Sequence, residues 1–178
     1  MSQETAAPFR FCPLCAAGLE MRSELEDSGP TMRLRCSACS FTHWNNPTPV
    51  LAAVVECVDR EGQVLLARNA AWTERFFGLI TGFMEAGESP ESGVSREVLE
   101  ETGLRVEGLS LLGVWDFQRK NQLIVAYHVR VSGEIRLSPE LAEYKLIAPE
   151  RLRCWRGGTG QALATWLRSK GLEPQWMD

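Results

Sequence analysis

The sequence has no long hydrophobic run and no secretory signal. Its longest apolar stretch, Val50 to Val55, stops at Glu56 and is far shorter than the roughly 18 residues that a membrane span requires. Residues 1–11 lack a positively charged segment followed by an apolar one, which a secretory signal would have. We therefore expect a cytoplasmic protein that does not cross a membrane.

An excess of basic residues is also lacking. The chain of 178 residues has 19 Lys and Arg against 23 Asp and Glu, a formal net charge of −4, and we do not expect nucleic acid as a partner. The acidity is concentrated in residues 82–104, where six glutamates and one arginine give −5 and leave +1 for the remainder. A local excess of carboxylates indicates a bound cation.

Histidine is scarce too, and the chemistry-bearing residues are instead cysteines and glutamates. We interpret His43 and His128 as structural, since histidine is readily buried and hydrogen-bonded. Four of the six cysteines form two C-x-x-C pairs separated by twenty residues, at Cys12, Cys15, Cys36 and Cys39. This spacing is typical of a closed structural zinc site. Two disulfides are the alternative, which a reducing cytosol disfavours.

The chain divides by composition into a small ribbon and a larger domain. We predict a zinc ribbon over residues 1–46, because about forty residues rarely bury enough surface to fold without such a staple. Met32 to Arg35 alternates like a strand, and Asp27 to Pro30 reads as a turn. Two prolines in Asn45 to Pro49 predict an extended connector, so the second domain is expected over residues 47–178.

Strand and helix patterns alternate in the second domain, which predicts a mixed α/β fold. The expected strands are Val50–Val58, Gln63–Ala67, Val106–Trp115 and Leu123–Val131. The expected helices are Ser89–Thr102, a short one from Pro149, and Thr159–Lys170, with Thr159 as an N-cap and Gly103 and Gly171 as C-caps.

Three glutamates lie on one face of the first of these helices. Glu97, Glu100 and Glu101 stand at i, i+3 and i+4, so their carboxylates project within a single turn and repel one another. A solvated acidic face is one interpretation, since surface glutamates are common in helices. A hard divalent cation such as Mg²⁺ or Mn²⁺ would relieve the repulsion and would hold phosphate oxygens as well.

The segment around these glutamates carries a specific motif. It runs Gly82-x5-Glu88-x7-Arg96-Glu97-Val98-Leu99-Glu100-Glu101-Thr102-Gly103-Leu104. This pattern resembles the Nudix box and matches it at every fixed position. The resemblance implies a Nudix α/β/α sandwich with a mixed sheet. It also implies hydrolysis, dependent on Mg²⁺ or Mn²⁺, of a pyrophosphate linkage in a nucleoside diphosphate joined to another group.

The same resemblance implies roles for individual residues. Glu97, Glu100 and Glu101 would hold the catalytic metal together with the Gly82 carbonyl, and Glu88 with Arg96 would form a structural salt bridge. The resemblance does not identify the residue that accepts the proton of the attacking water. Glu97 and Glu101 are candidates from the box, and Glu143 is a candidate from a later acidic segment.

A four-cysteine ribbon ahead of a Nudix box is similar to the NADH pyrophosphatase group and to zinc-ribbon Nudix proteins acting on ADP-ribose or FAD. The proline-rich motif of the first group is missing from Gly113 to Gln122, so the substrate stays open among the three. Phe83, Trp115 and Phe117 are candidate substrate contacts, and Arg119 or Lys120 could meet phosphate.

Two further functions and one assembly remain as alternatives. NAD-capped RNA presents the same linkage on a larger molecule. A regulatory module that senses nucleotides or binds nucleic acid is the other function, although the intact acids of the box favour catalysis. A homodimer is possible by resemblance.

Overall fold

The computed structural model describes residues 9–177. They fall into two compact units that meet between Asn46 and Pro47. No helix in this described range is long and apolar enough to span a membrane.

The first unit contains a three-stranded antiparallel sheet of β1 (Leu19–Glu26), β2 (Gly29–Cys36) and β3 (Thr42–His43). β1 and β2 form a hairpin in which Glu26 pairs with Gly29. Gly29 has φ of +107°, a backbone conformation that glycine adopts without steric cost. The predicted strand at Met32 to Arg35 lies within β2, whereas β1 and β3 were not predicted.

The second unit has eight strands and two α-helices among its described residues. They are β4 (Thr48–Cys57), β5 (Gln63–Asn69), β6 (Ile80–Phe83), α1 (Pro90–Thr102), β7 (Arg105–Phe117), β8 (Gln122–Ser132), β9 (Leu141–Ile147), β10 (Arg153–Cys154), α2 (Gly160–Ser169) and β11 (Gln175–Trp176). Short 3₁₀ turns occupy Gln118–Lys120 and Pro149–Arg151. The four predicted strands and the predicted helices are all present, with ends shifted by a few residues.

The main sheet is mixed and lies between the two helices. Its order is β7-β8-β4-β5-β9, with β6 also paired to β4. β4 runs parallel to β8 and antiparallel to its other partners. Alternate β4 residues pack toward opposite helices: Val50, Ala52 and Val54 share a core with α2, whereas Leu51, Ala53 and Val55 share one with α1. A strand buried on both faces reads as a continuous apolar run, which explains the longest such run in the sequence. The predicted α/β/α sandwich with a mixed sheet is confirmed.

The C-cap of α1 is the predicted Gly103, whereas Ser89, which was expected to be the first helical residue, is the N-cap. The Ser89 hydroxyl accepts a hydrogen bond from the Ser92 amide at 3.2 Å, and Pro90 occupies the first turn. Gly103 ends the helix with φ of +70° and donates its amide to Leu99 O. α2 differs from the expectation. Thr159 stands at the N-cap but has helical φ and ψ of −78° and −5° and makes no side-chain capping bond.

His128 belongs to a polar cluster beside α2. Its Nε2 lies 2.6 Å from Glu56 Oε2, and Glu56 Oε1 accepts from Lys170 Nζ at 2.9 Å. Burial lowers the pKa of His128. These contacts agree with the interpretation of this histidine as structural.

Candidate active site

The backbone of β6 lies directly against the acidic face of α1. β6 pairs with β4 so that Gly82 stands opposite Leu51, on the side of the sheet that α1 covers. A Cβ built on Gly82 would overlap the carboxyl carbon of Glu97. Only glycine leaves room for that carboxylate beside the strand.

Arg96 fastens the preceding loop to the helix. Its guanidinium makes a two-bond contact with Glu88, from Nε to Oε2 at 3.1 Å and from Nη2 to Oε1 at 3.0 Å. Glu88 also accepts the Glu85 amide at 2.7 Å. The Nη1 atom of Arg96 donates to Glu97 at 2.8 Å and to Glu100 at 3.0 Å. The structure thus brings Glu88 and Arg96 together. It also places Glu97 and Glu100, two of the predicted metal ligands, against the guanidinium of Arg96.

Two carboxylates of this face, those of Glu97 and Glu101, are poorly solvated, and the acids of the face repel one another. The Glu101 residue is 7% exposed. Burial, together with the charges of Glu97, Glu140 and Glu100, raises its pKa to about 7. Burial also raises the pKa of Glu97 in spite of its contact with Arg96. A cluster of this kind favours either protons or a metal cation.

Sequence reasoning missed a fourth acid, Glu140. It lines a pocket of about 240 Å³ together with the three helix glutamates, Ser138 and Pro139. The Ser138 amide donates to Glu101 O at 2.9 Å, which ties this segment to the end of α1. The signal that the sequence offered was a second acid three residues before Glu143. The motif at residues 82–104 gave no ground for choosing between the two acids.

Glu143 lies outside the acidic pocket, so the structure does not bring it together with the helix glutamates. It stands on β9 opposite Arg68. It accepts from Arg68 Nε at 2.8 Å and from Arg75 Nη2 at 3.2 Å. The two arginines lower its pKa, Arg68 most. Glu143 does not line the acidic pocket.

A second and larger pocket, of about 540 Å³, lies on the α2 side of the sheet. Aromatic rings form much of its wall, and two cations also line it. The lining includes Trp72, Phe76, Phe117, Trp155, Arg119 and Lys120. Phe76 lies between the two tryptophans, with ring centroids 5.7 Å from Trp72 and 5.2 Å from Trp155. A wall of aromatic rings with nearby cations suits a planar base attached to phosphate.

The two pockets lie on opposite sides of β6. Thr81 lines the aromatic pocket, while the next residue, Gly82, borders Glu97. Successive residues of a strand face opposite sides of the sheet. Thr81 therefore faces the aromatic pocket, and Gly82 faces the helix glutamates.

The predicted substrate contacts divide between the pocket and other places. Phe117, Arg119 and Lys120 line the aromatic pocket. Trp115 packs against the core on the α2 side instead, and Phe83 is 59% exposed. The other three aromatic wall residues were not predicted as contacts, because they come from loops that are distant in sequence.

The four paired cysteines form a separate cluster in the first unit. All four are free thiols, and their sulfurs lie within 4.8 Å of one another. The Sγ–Sγ separations are 3.6 Å for Cys12 and Cys39, 3.5 Å for Cys15 and Cys36, and 3.7 Å for Cys15 and Cys39. A tetrahedral site with Zn–S bonds of about 2.3 Å requires sulfurs about 3.8 Å apart. The donor set therefore fits zinc.

Backbone amides also point at these sulfurs. Leu14 N donates to Cys12 Sγ at 3.4 Å, and Ala38 N donates to Cys36 Sγ at 3.3 Å. The Ala38 amide lowers the pKa of Cys36 to about 6. A thiol held as a thiolate is ready to ligate metal.

Comparison with known proteins agrees with this geometry. The family model described as the NUDIX domain matches residues 47–168. The chain belongs to the Nudix family. The acids on α1, the Gly82 strand and the Glu88–Arg96 pair are therefore the Nudix box of this protein, folded as one continuous segment.

Individual Nudix relatives match part or nearly all of the chain. It is 33% identical over 127 residues to the protein named NAD-capped RNA hydrolase NudC of Pseudomonas aeruginosa, a match covering 71% of this chain and 42% of the relative. The NudC of the same name from Mycobacterium tuberculosis H37Rv is 45% identical over 84 residues, covering 45% of this chain and 26% of the relative. The chain thus spans less than half the length of these curated relatives. A crystal structure of a NUDIX hydrolase from Nitrosomonas europaea superposes with a TM-score of 0.74 at 25% identity, covering 95% and 97% of the two chains.

Proposed function

We propose that this protein hydrolyses a pyrophosphate linkage in a nucleoside diphosphate joined to another group, with Mg²⁺ or Mn²⁺ as cofactor. The observation that carries the proposal is the convergence of the box glutamates with Glu140 in one pocket beside Gly82. The reaction adds water across the P–O–P bond and releases two phosphate-ended fragments.

The residues present fit a divalent cation. Four carboxylates share the pocket, and Arg96, the cation bound to two of them, is already paired with Glu88. We propose that Glu97, Glu100 and Glu101 hold the metal with the Gly82 carbonyl, and that Glu140 joins them from the other side of the pocket. The chemistry supplied by a bound cation is stabilisation of negative charge on the phosphoryl oxygens.

A carboxylate of the same pocket would accept the proton of the attacking water. Our candidates are Glu97, Glu101 and Glu140, which line the pocket together with Glu100. General-base catalysis contributes about 10²- to 10⁴-fold in rate. The pH dependence of kcat for the three Glu→Gln variants would identify the acceptor, since loss of the base removes the acid limb of the profile.

The aromatic pocket supports a substrate with a planar ring system. We propose that a base stacks against Trp72, Phe76 or Trp155, and that Arg119 and Lys120 meet phosphate. A pocket of 540 Å³ is within the range of about 300–1,000 Å³ typical of small-molecule sites. ADP-ribose, NADH and FAD all combine a planar base with a pyrophosphate.

A substrate panel tests the proposal. Purified zinc-loaded protein is incubated with ADP-ribose, NADH and FAD in Mg²⁺ or Mn²⁺, and the phosphate-ended products are separated and measured. Turnover of at least one compound is expected, and Glu101→Gln should abolish it. Glu134→Gln is the matched control, because Glu134 pairs with Arg136 at an exposed position. Absence of turnover with every compound would refute the proposal, as would full activity in Glu101→Gln.

Hydrolysis of NAD-capped RNA is a second candidate. It is supported by the similarity to two relatives that bear that name. Equal amounts of NADH and of a short RNA with a 5′-terminal NAD would be compared in one assay. A higher kcat/KM on the RNA would favour this candidate, whereas binding of RNA without cleavage would favour a regulatory module.

We also propose that the first unit is a zinc ribbon held by Cys12, Cys15, Cys36 and Cys39. The sulfur separations and the amides directed at two sulfurs support it. Metal analysis should give one zinc per chain in addition to any catalytic cation. Recovery of a zinc-free chain with the four thiols still reduced and the ribbon folded would contradict the proposal.

A further inference from the structure

We infer that Glu143 is a positioning residue that holds the aromatic wall of the substrate pocket in place, and not the proton acceptor of the reaction. The inference rests on the proposed function for the identity of the pocket. It concerns the segment from Arg68 to Phe77, which runs from the end of β5 into the loop before β6 and carries Trp72 and Phe76.

The two oxygens of Glu143 bind two separate points of this segment. Oε1 accepts from Arg68, near the end of β5, at 2.8 Å. Oε2 accepts from Arg75, seven residues later and directly before Phe76, at 3.2 Å. A single carboxylate on β9 therefore connects the residues on either side of the stretch that carries Trp72. We call the three residues Arg68, Arg75 and Glu143 the loop clamp.

Arg68 extends the clamp to the first aromatic residue. Its Nη1 donates to the carbonyl of Trp72 at 3.4 Å, so the guanidinium that Glu143 orients also contacts the backbone of the pocket wall. The Arg68 side chain is 22% exposed and that of Glu143 is 35% exposed. Charge pairs that are partly shielded from water hold their geometry better than fully exposed ones.

The base of the loop is fixed independently of the clamp. Ala67 and Gly78 exchange two backbone hydrogen bonds, at 3.0 and 2.9 Å. Gly78 also gives the rings room, because a Cβ there would lie 3.3 Å from Phe76 Cε1 and 3.5 Å from a Trp72 ring carbon. The strand ends would thus remain in register without Glu143, while the tip between Arg68 and Arg75 would lose the carboxylate that joins its ends.

The same segment touches both pockets. The Ala70 amide of the loop donates to the carbonyl of Glu140 at 2.7 Å, and the Glu140 side chain lines the acidic pocket. Three residues further on, Glu143 holds the loop. The stretch from Glu140 to Glu143 therefore lines the acidic pocket at one end. At the other end it binds the two arginines of the segment that carries the aromatic wall.

Steady-state kinetics of Glu143→Gln separates a positioning role from a catalytic one. The compound of the ADP-ribose, NADH and FAD panel that is turned over fastest serves as substrate. Loss of one clamping charge should raise KM about 3- to 10-fold and leave kcat within about twofold, because ion pairs of this exposure contribute modestly. Glu134→Gln, which breaks an exposed Glu–Arg pair away from the pocket, should change neither constant.

A measurement without turnover tests the clamp itself. Trypsin cleaves after arginine, and the Arg75 side chain is 77% exposed, so cleavage at Arg75 reports opening of the loop tip. Mass spectrometry should show that this cleavage is several-fold faster in Glu143→Gln than in the wild type or in Glu134→Gln. Binding of Mn²⁺, measured by titration calorimetry, should be unchanged in Glu143→Gln and weakened in Glu101→Gln.

Three results would overturn the inference. A fall of about 100-fold or more in kcat with KM unchanged would make Glu143 a catalytic group. Unchanged KM with unchanged cleavage at Arg75 would remove its positioning role, and weaker Mn²⁺ binding would make it a ligand. If the wild type hydrolyses no compound, the proposed function fails. The rate of cleavage at Arg75, together with AMP binding measured by tryptophan fluorescence, then still tests whether the loop clamp holds the aromatic wall.

Discussion

Replacing Glu101 by Gln should stabilise the metal-free protein at alkaline pH while it destroys activity. Burial and three neighbouring carboxylates raise the pKa of Glu101 from its ordinary value of 4.5 to about 7. An acid whose pKa is higher in the folded state binds more protons there than in the unfolded state. Its contribution to stability is therefore complete below about pH 4.5 and is lost as the pH rises through about 7.

The size of the effect follows from the same values. A pKa higher by about 2.5 corresponds to roughly 3 kcal/mol in the free energy of unfolding. Ionisation of Glu101 should cost the metal-free wild type most of this by pH 8. Glutamine cannot ionise, so Glu101→Gln avoids the cost. The stability of the variant relative to wild type should rise by roughly 2 to 3 kcal/mol between pH 5 and pH 8.

Urea unfolding provides the assay. Zinc-loaded protein without Mg²⁺ or Mn²⁺ is unfolded at several pH values, and the transition is followed by tryptophan fluorescence. Trp166 of α2 is suited to report it, because this side chain is 1% exposed in the core. Saturating Mn²⁺ should stabilise the wild type at pH 8 and should stabilise Glu101→Gln much less. A constant difference between the two proteins from pH 5 to pH 8 would refute the assignment of a buried, strained carboxylate.

Three further predictions concern the other parts of the protein. Cys36→Ser should lower the zinc content below one per chain and expose the first unit to proteolysis, because structural zinc supplies on the order of 10 kcal/mol to such ribbons; one retained zinc would contradict this. Gly82→Ala should weaken Mn²⁺ binding about tenfold or more in a calorimetric titration, since its Cβ overlaps the Glu97 carboxyl group; unchanged affinity would show that Glu97 is not a ligand. Trp155→Ala should raise KM about tenfold with little change in kcat, because base stacking on an aromatic ring contributes about 1–3 kcal/mol; an unchanged KM would place the base elsewhere.

Local sequence signals were sufficient for the helix that carries the acids. Ser89, Pro90 and Gly103 specify where α1 begins and ends, and the spacing of Glu97 and Glu101 within one turn specifies which face they share. These features depend on residues a few positions apart. The same is true of the two cysteine pairs, whose short spacing brings each pair of sulfurs together in one turn.

The aromatic pocket could not be predicted in the same way. Its walls come from three segments, around Trp72, Phe117 and Trp155, which are more than thirty residues apart in the sequence. They meet because β5 and β7 belong to the same sheet and α2 packs against it. Nothing in the local pattern at Phe76 or Trp155 distinguishes a pocket wall from an ordinary core aromatic, so Phe117 is the one aromatic wall residue among the expected contacts.

Glu140 and Glu143 show what the local sequence does not specify. Both lie in one short acidic segment, but Glu140 precedes β9 whereas Glu143 lies within it. The pairing of β9 with β5 decides their roles, because Arg68 stands opposite Glu143 and the register shifts by one residue before Asn69 pairs with Leu141. The bond from Ser138 N to Glu101 O then fixes the preceding turn against α1. A β-bulge is a long-range feature of two paired strands, so no inspection of residues 138–143 alone could show that Glu140 shares a pocket with the helix glutamates while Glu143 pairs with two arginines.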